Sequence, residues 1–368
     1  MSEQLSEKEQ FLLNEIRRNP YITQQELANS LNISRPTVAN MISGLIKKGK
    51  IIGRAYVIAE NEPIVCIGGA NIDRKSYLKE MVRIGTSNPT RTTQSAGGVA
   101  RNIAENLGRL GMDVSLITCS GEDADWNYIK EVSSPFMNLD QVTQITDEST
   151  GSYTGVLDST GEMVIALADM EVYETITPEL LEKQDALLRR AKCIIADLNV
   201  PKSTLEYLCD FAKREEKPLI LIPVSSPKMK RLPSDLSCVT WLIANRDETE
   251  AYLNKDIRNH ETWKQAVQKW LSLGIKNVVI TKGKEGAMIG NLDEIIHIPA
   301  IVSEKIVDVT GAGDAFSSAA IYAWLAGKDL KEIGQTATVN ASKTSQSPYT
   351  VRQELSAIQL QQDLEEIN

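Results

Sequence analysis

The chain has 368 residues, is 42% hydrophobic and carries 40 Lys/Arg against 49 Asp/Glu, a net charge of −9 at pH 7. That length suits one large α/β domain plus a small one, with apolar content enough for a substantial core. No apolar run approaches the ~20 residues of a membrane helix, the polar, acidic first seven residues are no secretory signal, and the two histidines, His260 in a polar stretch and His297 near a strand end, argue against a His-based triad. The five cysteines (Cys66, Cys119, Cys193, Cys209, Cys238) are scattered with no C-x-x-C pair. Buried reduced thiols are therefore expected, rather than disulfides or a zinc site. The expected protein is cytoplasmic and soluble, with no membrane contact. Charge is uneven: residues 1–60 hold eight Lys/Arg and six Asp/Glu, a mildly basic front on an acidic body.

In chain order, residues 6–19 read as a helix, with Ser6 as N-cap, Glu9 completing a capping box, and Phe11, Leu12, Leu13 and Ile16 on an apolar face. Asn19-Pro20 stops it. Thr23 caps a second helix over 24–31. Asn32-Ile33 form a turn, and Ser34 caps a third helix over 35–48, with Val38, Met41, Ile42, Leu45 and Ile46 inward. Residues 51–58 suggest a hairpin turning near Gly53. The sequence 25–38, QELANSLNISRPTV, resembles the core of winged helix-turn-helix domains. That resemblance makes the third helix a recognition helix for the major groove. It places Ser34, Arg35, Thr37 and Asn40 against DNA, Arg54 on the wing, and Lys47, Lys48 and Lys50 near phosphates. The competing possibility is a three-helix packing module with solvated lysines.

A polar linker over 59–63 separates this module, residues 1–60, from a large domain over 63–368. The apolar strand at 64–67 runs into Gly68-Gly69-Ala70-Asn71-Ile72-Asp73. Asp73 suits a sugar hydroxyl pair, or is a turn residue. Residues 72–95 lack helical period and, with an antiparallel pair over 150–170, suggest a small β lid. Gly97-Gly98 open a second glycine-to-helix junction that lets backbone approach a ligand closely, with Asn102 one turn in. Then strands and helices alternate: helix 178–190, strand 192–197, helix 202–215, strands 218–222 and 239–244, helix 261–273 and strand 276–281. This rhythm predicts an α/β fold with a mostly parallel, doubly wound sheet and helices on both faces, ligands lying at the carboxyl ends of the strands.

The remaining motifs fall at such ends. Asn245 and Glu248 share a face at a helix start, suited either to Mg²⁺ and its waters or to a capping box. Thr281, Gly283 and Gly286 mark a glycine-rich turn without P-loop spacing, and no G-x-G-x-x-G opens a first βαβ unit. Last comes Asp308-Val309-Thr310-Gly311-Ala312-Gly313-Asp314, directly before an apolar helix. Backbone N–H groups and the helix dipole there form an anion site. Asp314 at its mouth reads as a general base for a hydroxyl attacking a phosphoryl group, or as a helix cap.

Four of these motifs, at 68–73, 97–102, 245–248 and 308–314, stand in the order found in the ribokinase-like (pfkB) carbohydrate kinases, and the resemblance covers about 63–360. It implies Asp314 as catalytic base and the N–H groups of Gly311, Ala312 and Gly313 as anion hole. It implies Asp73, Gly97, Gly98 and Asn102 at the sugar. Asn245 and Glu248 would position Mg²⁺–ATP through water, Thr281, Gly283 and Gly286 would lie around the nucleotide, and Asn340 near adenine. Members often bind a monovalent cation, and Asp308 and Thr310 stand where ligands of K⁺ would be. Residues 68–75, 97–107, 168–173, 198–201 and 223–228 are further similar to pseudouridine kinases, which phosphorylate a C-nucleoside at its 5′-hydroxyl; Asp169 would meet the base. Ser317-Ser318-Ala319 depart from a pattern that often includes Gly. The partners expected are Mg²⁺–ATP, a nucleoside or sugar (ribose, fructose, uridine or inosine being the alternatives), DNA through the N-terminal module, and a second copy in a homodimer. A rival reading is a sugar-sensing transcription regulator whose kinase domain only binds.

Overall fold

The computed structural model describes residues 5–52, 61–301 and 306–366. The chain opens with three helices: α1 (Glu7–Arg18), α2 (Gln24–Leu31) and α3 (Arg35–Lys47). Ser6 and Thr23 cap the first two in closed capping boxes with Glu9 and Glu26. Asn32, in the left-handed region at φ 51°, makes the turn between α2 and α3. Leu12, Leu13, Ile16, Leu27, Val38, Ile42 and Leu45 form a core of their own. The wing expected at 51–58, and Arg54 with it, falls almost wholly outside the described residues.

The side chains expected at DNA divide. Arg35 and Asn40 are exposed. Ser34 is first a cap, its hydroxyl accepting from the Thr37 N–H at 3.3 Å, and the two hydroxyls sit 2.8 Å apart. Two of the three lysines assigned to phosphates have carboxylate partners, Lys48 with Glu9 at 3.1 Å and Lys50 with Glu62 at 3.3 Å. Folding brings Glu9 of α1 and Glu62 of the linker close to these lysines, which the linear spacing did not show.

The large body begins with β1 (Ile64–Ile67), β2 (Asn71–Leu78), β3 (Thr90–Gly97), α4 (Val99–Arg109) and β4 (Val114–Ile117). A small parallel pair follows, β5 (Cys119–Gly121) and β6 (Thr143–Ile145), with α5 (Ala124–Ser133) between them. Next come β7 (Ser152–Leu157), β8 (Met163–Asp169), α6 (Pro178–Glu182), α7 (Asp185–Arg190) and β9 (Cys193–Asp197). Then α8 (Lys202–Arg214), β10 (Leu219–Ile222), β11 (Val239–Asn245), α9 (Arg246–Leu253), α10 (His260–Ser272) and β12 (Asn277–Thr281) complete the alternation. The chain closes with β13 (Ala287–Gly290), β14 (Ile295–Ile298), α11 (Ala312–Leu325), α12 (Leu330–Ser345) and α13 (Ala357–Glu365).

Eight strands form the main sheet in the order β14-β13-β12-β11-β10-β9-β1-β4. The six from β12 to β4 run parallel, and β13 and β14 add an antiparallel edge. Side chains alternate between its faces. Val65 and Ile67 of β1 join one apolar layer, and Ile64 and Cys66 join the other. Burial on both faces explains why these strands read as continuous apolar runs. Strand order reverses at β1, so a crevice opens at the carboxyl ends of β1 and β9. A separate four-stranded sheet, β3-β2-β7-β8, gathers the two segments expected to form the lid.

Two local expectations are corrected. The helix expected over 178–190 is two helices, breaking at Lys183-Gln184 so that Leu181 and Leu187-Leu188 reach one apolar layer. Cys209 and Cys238, 29 residues apart, are joined by a disulfide with Cα atoms 5.3 Å apart; the other three cysteines are buried free thiols. The fold sets α8 beside the segment entering β11, a proximity that cysteine spacing alone does not encode. No helix among the described residues is long and apolar enough to cross a membrane.

Candidate active site

The site assembles from the ends of β1, β9, β11 and β12, the starts of α4 and α11, and the lid. Gly311 is the N-cap of α11, at φ 81°, and a Cβ there would lie 2.1 Å from the Thr350 carbonyl oxygen. Only glycine makes this turn. Gly313 is exposed with nothing within 4 Å of where its Cβ would be, so its backbone faces open space. Its N–H and that of Gly311 meet no acceptor among the described residues. The Ala312 N–H is partly spent on the Val309 carbonyl at 3.2 Å. Two of the three expected donors therefore stand open, at the positive end of a 14-residue helix.

Asp314 lies in the first turn of α11, and the helix has no side-chain cap bond. Among the described residues its side chain caps no backbone N–H: its Oδ2 accepts from Asn102 Nδ2 at 2.8 Å. Burial pushes its pKa up to about 7; the Asn102 bond opposes this, and the charges of Asp197, Asp73 and Glu248 add to it. A carboxylate poised near neutral pH suits proton abstraction.

Asn102 is oriented from behind. Arg101, buried, donates through Nη1 to Asn102 Oδ1 at 3.0 Å, through Nε to Ser133 at 3.0 Å, and pairs with Glu105. With its oxygen so occupied, the Asn102 amide must present N–H to Asp314. Neither Arg101 nor Glu105 stood out in the sequence; their only signal is opposite charges spaced i,i+4 on one helix.

On the lid side, Asp73 lies within β2 and accepts from Asn71 Nδ2 at 2.7 Å. Burial raises its pKa against that bond and the nearby Lys75 and Arg101 charges. Gly97, paired across from Asn71, leaves room for it, since a Cβ there would stand 2.2 Å from Asp73 Oδ2. Gly98, at φ 96°, packs on the Gly69 backbone. Asp169 ends β8, exposed and opposite Ser152.

The residue that sequence reasoning missed most is Asp197, at the end of β9. Its carboxylate accepts from the N–H groups of Gly69 at 2.9 Å, Ala100 at 3.0 Å and Asn199 at 2.8 Å. It thus ties both glycine junctions to the sheet. Burial raises its pKa despite these three bonds. A carboxylate closing the apolar run Cys193-Ile194-Ile195-Ala196-Asp197 was the available signal.

On the nucleotide side, Asn245 and Glu248 form the capping box of α9: Glu248 N–H donates to Asn245 Oδ1, and Asn245 N–H to Glu248 Oε2, each at 2.8 Å. Glu248 is buried, which raises its pKa, the Asn245 bond opposing. Among the described residues no group of three or more His, Cys, Asp or Glu is placed to hold a metal. A single carboxylate fits Mg²⁺ that arrives with ATP phosphates and its own waters. Thr281 ends β12, and the turn holding Gly283 and Gly286 follows, both glycines at positive φ.

Two expectations do not fit. Asn340 is fully buried, donating to the Ala315 carbonyl at 2.9 Å and accepting from Arg352 Nε at 3.1 Å. It faces α11 in the core, so its amide is unavailable to adenine. Lys331, Gln335, Thr338 and Val339 of α12 do face a cavity; with Pro299, Ala300 and Ile301 they help to line about 670 Å³. Asp308, expected to ligate K⁺, has both oxygens engaged. Oδ1 accepts from Thr310 N–H at 2.9 Å and Thr310 Oγ1 at 2.7 Å, and Oδ2 accepts from Lys75 Nζ at 2.5 Å. Burial works against ionising Asp308, but these bonds prevail and hold its pKa below the usual value.

A doubly wound sheet with a small second sheet beside it, an open N–H pair at a helix start and a carboxylate with its pKa raised to about 7 fit a phosphotransferase that uses an alcohol acceptor. The chain belongs to the pfkB family of carbohydrate kinases, whose family model matches residues 61–356, and a winged helix-turn-helix DNA-binding family matches residues 5–52. It is 30% identical to a pseudouridine kinase of Escherichia coli (strain K12) over 298 residues, 81% of this chain and 95% of that one. It is 29% identical to an uncharacterized sugar kinase, YeiI, of the same organism, over 92% of this chain and 93% of that one. Among solved structures, a carbohydrate kinase from Agrobacterium tumefaciens matches with a TM-score of 0.72 at 31% identity, covering 83% of this chain and 97% of that one.

Proposed function

We propose that the protein transfers the γ-phosphoryl group of ATP to the 5′-hydroxyl of a nucleoside, with pseudouridine the preferred acceptor. The observation that carries this reading is the pairing of Asp314, its pKa raised to about 7, with the open N–H groups of Gly311 and Gly313. Asp314 takes the proton of the acceptor hydroxyl as its oxygen attacks phosphorus. The N–H groups stabilise charge developing on the transferred group. Asp73 and Asn102 orient the acceptor, and the lid excludes water. Mg²⁺, when bound with ATP, supplies positive charge to the phosphates, with Asn245 and Glu248 holding its waters. Adenine is assigned to the cavity lined by Gln335, Thr338 and Ile301 in place of Asn340. The 30%-identical pseudouridine kinase supports the acceptor, with Asp169 assigned to the base. Supplied with Mg²⁺–ATP and pseudouridine, uridine, ribose or fructose, the purified protein should show kcat/KM for pseudouridine at least ~100-fold above uridine, about 3 kcal/mol of discrimination. Turnover of none of the four, with one of them still bound, would refute the kinase reading; equal rates on uridine would refute the acceptor.

A second activity is favoured by the N-terminal match: the module binds DNA through α3. Arg35, exposed at its start, is assigned to a base edge or phosphate. Binding should fall steeply with salt, and Arg35→Ala should weaken it by roughly tenfold or more in gel-shift titrations. Salt-insensitive binding, or none at low salt to promoter fragments from the gene's own neighbourhood, would leave the module a packing unit. A homodimer is assigned to the lid, where Met163, Ile165 and Leu167 of edge strand β8 are more than half exposed. The working compartment is assigned to the cytoplasm, which supplies ATP.

A further inference from the structure

The oxygens of Asp308 hold an ammonium that comes from the lid. Lys75 projects from β2 on the same face as Asp73, two residues on. It reaches Asp308 Oδ2 at 2.5 Å and lies 3.4 Å from Thr310 Oγ1. Arg74, on the opposite face of the strand, pairs with both oxygens of Asp125 in α5 at 2.6 and 2.7 Å. Strand β2 is thus gripped from both sides, and Lys75 is the grip on the loop that feeds the anion hole. The loop needs a cation: Asp73, Asp197, Asp308, Asp314 and Glu248 all crowd toward a site built for phosphate. Asp308 has no other cationic partner among the described residues. A tethered ammonium meets that need without an exchangeable ion, since its strand already holds it in place.

We propose that Lys75 is this chain's built-in monovalent cation, standing at Asp308 in place of a bound potassium ion and tying the lid to the anion-hole loop. In its catalytic half this rests on the kinase reading. Lys75 acts through Asp308 and the loop, so it is a positioning residue.

The test uses the full chain at constant ionic strength in KCl, NaCl or tetramethylammonium chloride, the last too large to be coordinated. Two quantities are read: the melting temperature of the free protein, and kcat and KM with Mg²⁺–ATP and the accepted nucleoside. Wild type should show the same melting temperature and the same kcat, within about twofold, in all three salts. Lys75→Met, which keeps the stem and removes the charge, should lose about 100-fold in kcat in tetramethylammonium. It should recover in KCl and gain a K⁺-specific rise in melting temperature. Lys75→Arg should stay indifferent to the salt and within about tenfold of wild type. A wild-type protein that K⁺ activates tenfold or specifically stabilises overturns the proposal. So does a Lys75→Met variant indifferent to K⁺ in both readouts. Should no acceptor be turned over at all, the kinase reading fails, while the melting comparison still decides the role of Lys75.

Discussion

Asp314→Asn should lower kcat on the accepted nucleoside by about 1,000-fold, within the ~10²–10⁴-fold span of general-base contributions, and leave KM within a few fold. The carboxamide keeps the shape and still accepts from Asn102 Nδ2, so the acceptor pocket is preserved. What disappears is the carboxylate assigned to take the hydroxyl proton. The pH profile gives an independent reading. With the pKa raised to about 7, the base is charged above neutrality and lost below it. Wild-type kcat/KM should rise tenfold per pH unit up to about 7 and level off above. In the variant that acid limb should vanish. Stability moves the other way. The folded-state pKa lies above the ordinary value of 3.8, so the folded protein binds the extra proton between these values and loses stability as pH rises through them. The variant, free of that charge, should melt higher than wild type at about pH 8 and no higher at about pH 4. A variant retaining near-wild-type kcat removes Asp314 as the base.

Asp197→Ala should destabilise the protein by about 3–5 kcal/mol and lower its melting temperature by roughly 6–15 °C. Its carboxylate is the acceptor for three buried N–H groups, those of Gly69, Ala100 and Asn199. Alanine leaves all three unpaired, at about 1–3 kcal/mol each before relaxation. Removing a buried charge returns part of this loss, which places the net figure at the lower end of the sum. Gly68 has no side chain because this carboxylate fills the space, a Cβ there lying 2.3 Å from Asp197 Oδ1. The cavity left by alanine therefore frees both glycine junctions together. KM for the acceptor should rise at least tenfold. The acid limb of the pH profile should shift below 7, because one of the charges raising the Asp314 pKa is gone. Unchanged melting with unchanged KM would show that the junctions hold their shape without it.

Much of this architecture was legible in the sequence because it rests on local physics. The capping boxes of α1 and α2 are pairs three residues apart. The strands buried on both faces announce themselves as apolar runs, and Gly311 marks a left-handed turn. The same locality left Asp314 open between two readings. A carboxylate at a helix start suits a cap, yet this one reaches across 212 residues to Asn102. At Asn340 the expected place near adenine does not hold, since that side chain packs on α11 while Gln335 and Thr338 of the same helix line the cavity.

The sequence by itself determined the alternating α/β body, the three-helix front module and the order of the motifs that mark a phosphoryl-transfer site. These follow from side-chain period, caps and glycine positions, all set by neighbours within about four residues. Only the tertiary structure decided which charges meet. It placed Asp197 beneath both glycine junctions, aimed Asn102 through Arg101, brought Cys209 to Cys238, and set the Lys75 ammonium against Asp308. All of these contacts but Arg101–Asn102, which lies within α4, join groups on separate elements. Their energies depend on burial and on distances of a few ångströms, which no local pattern encodes.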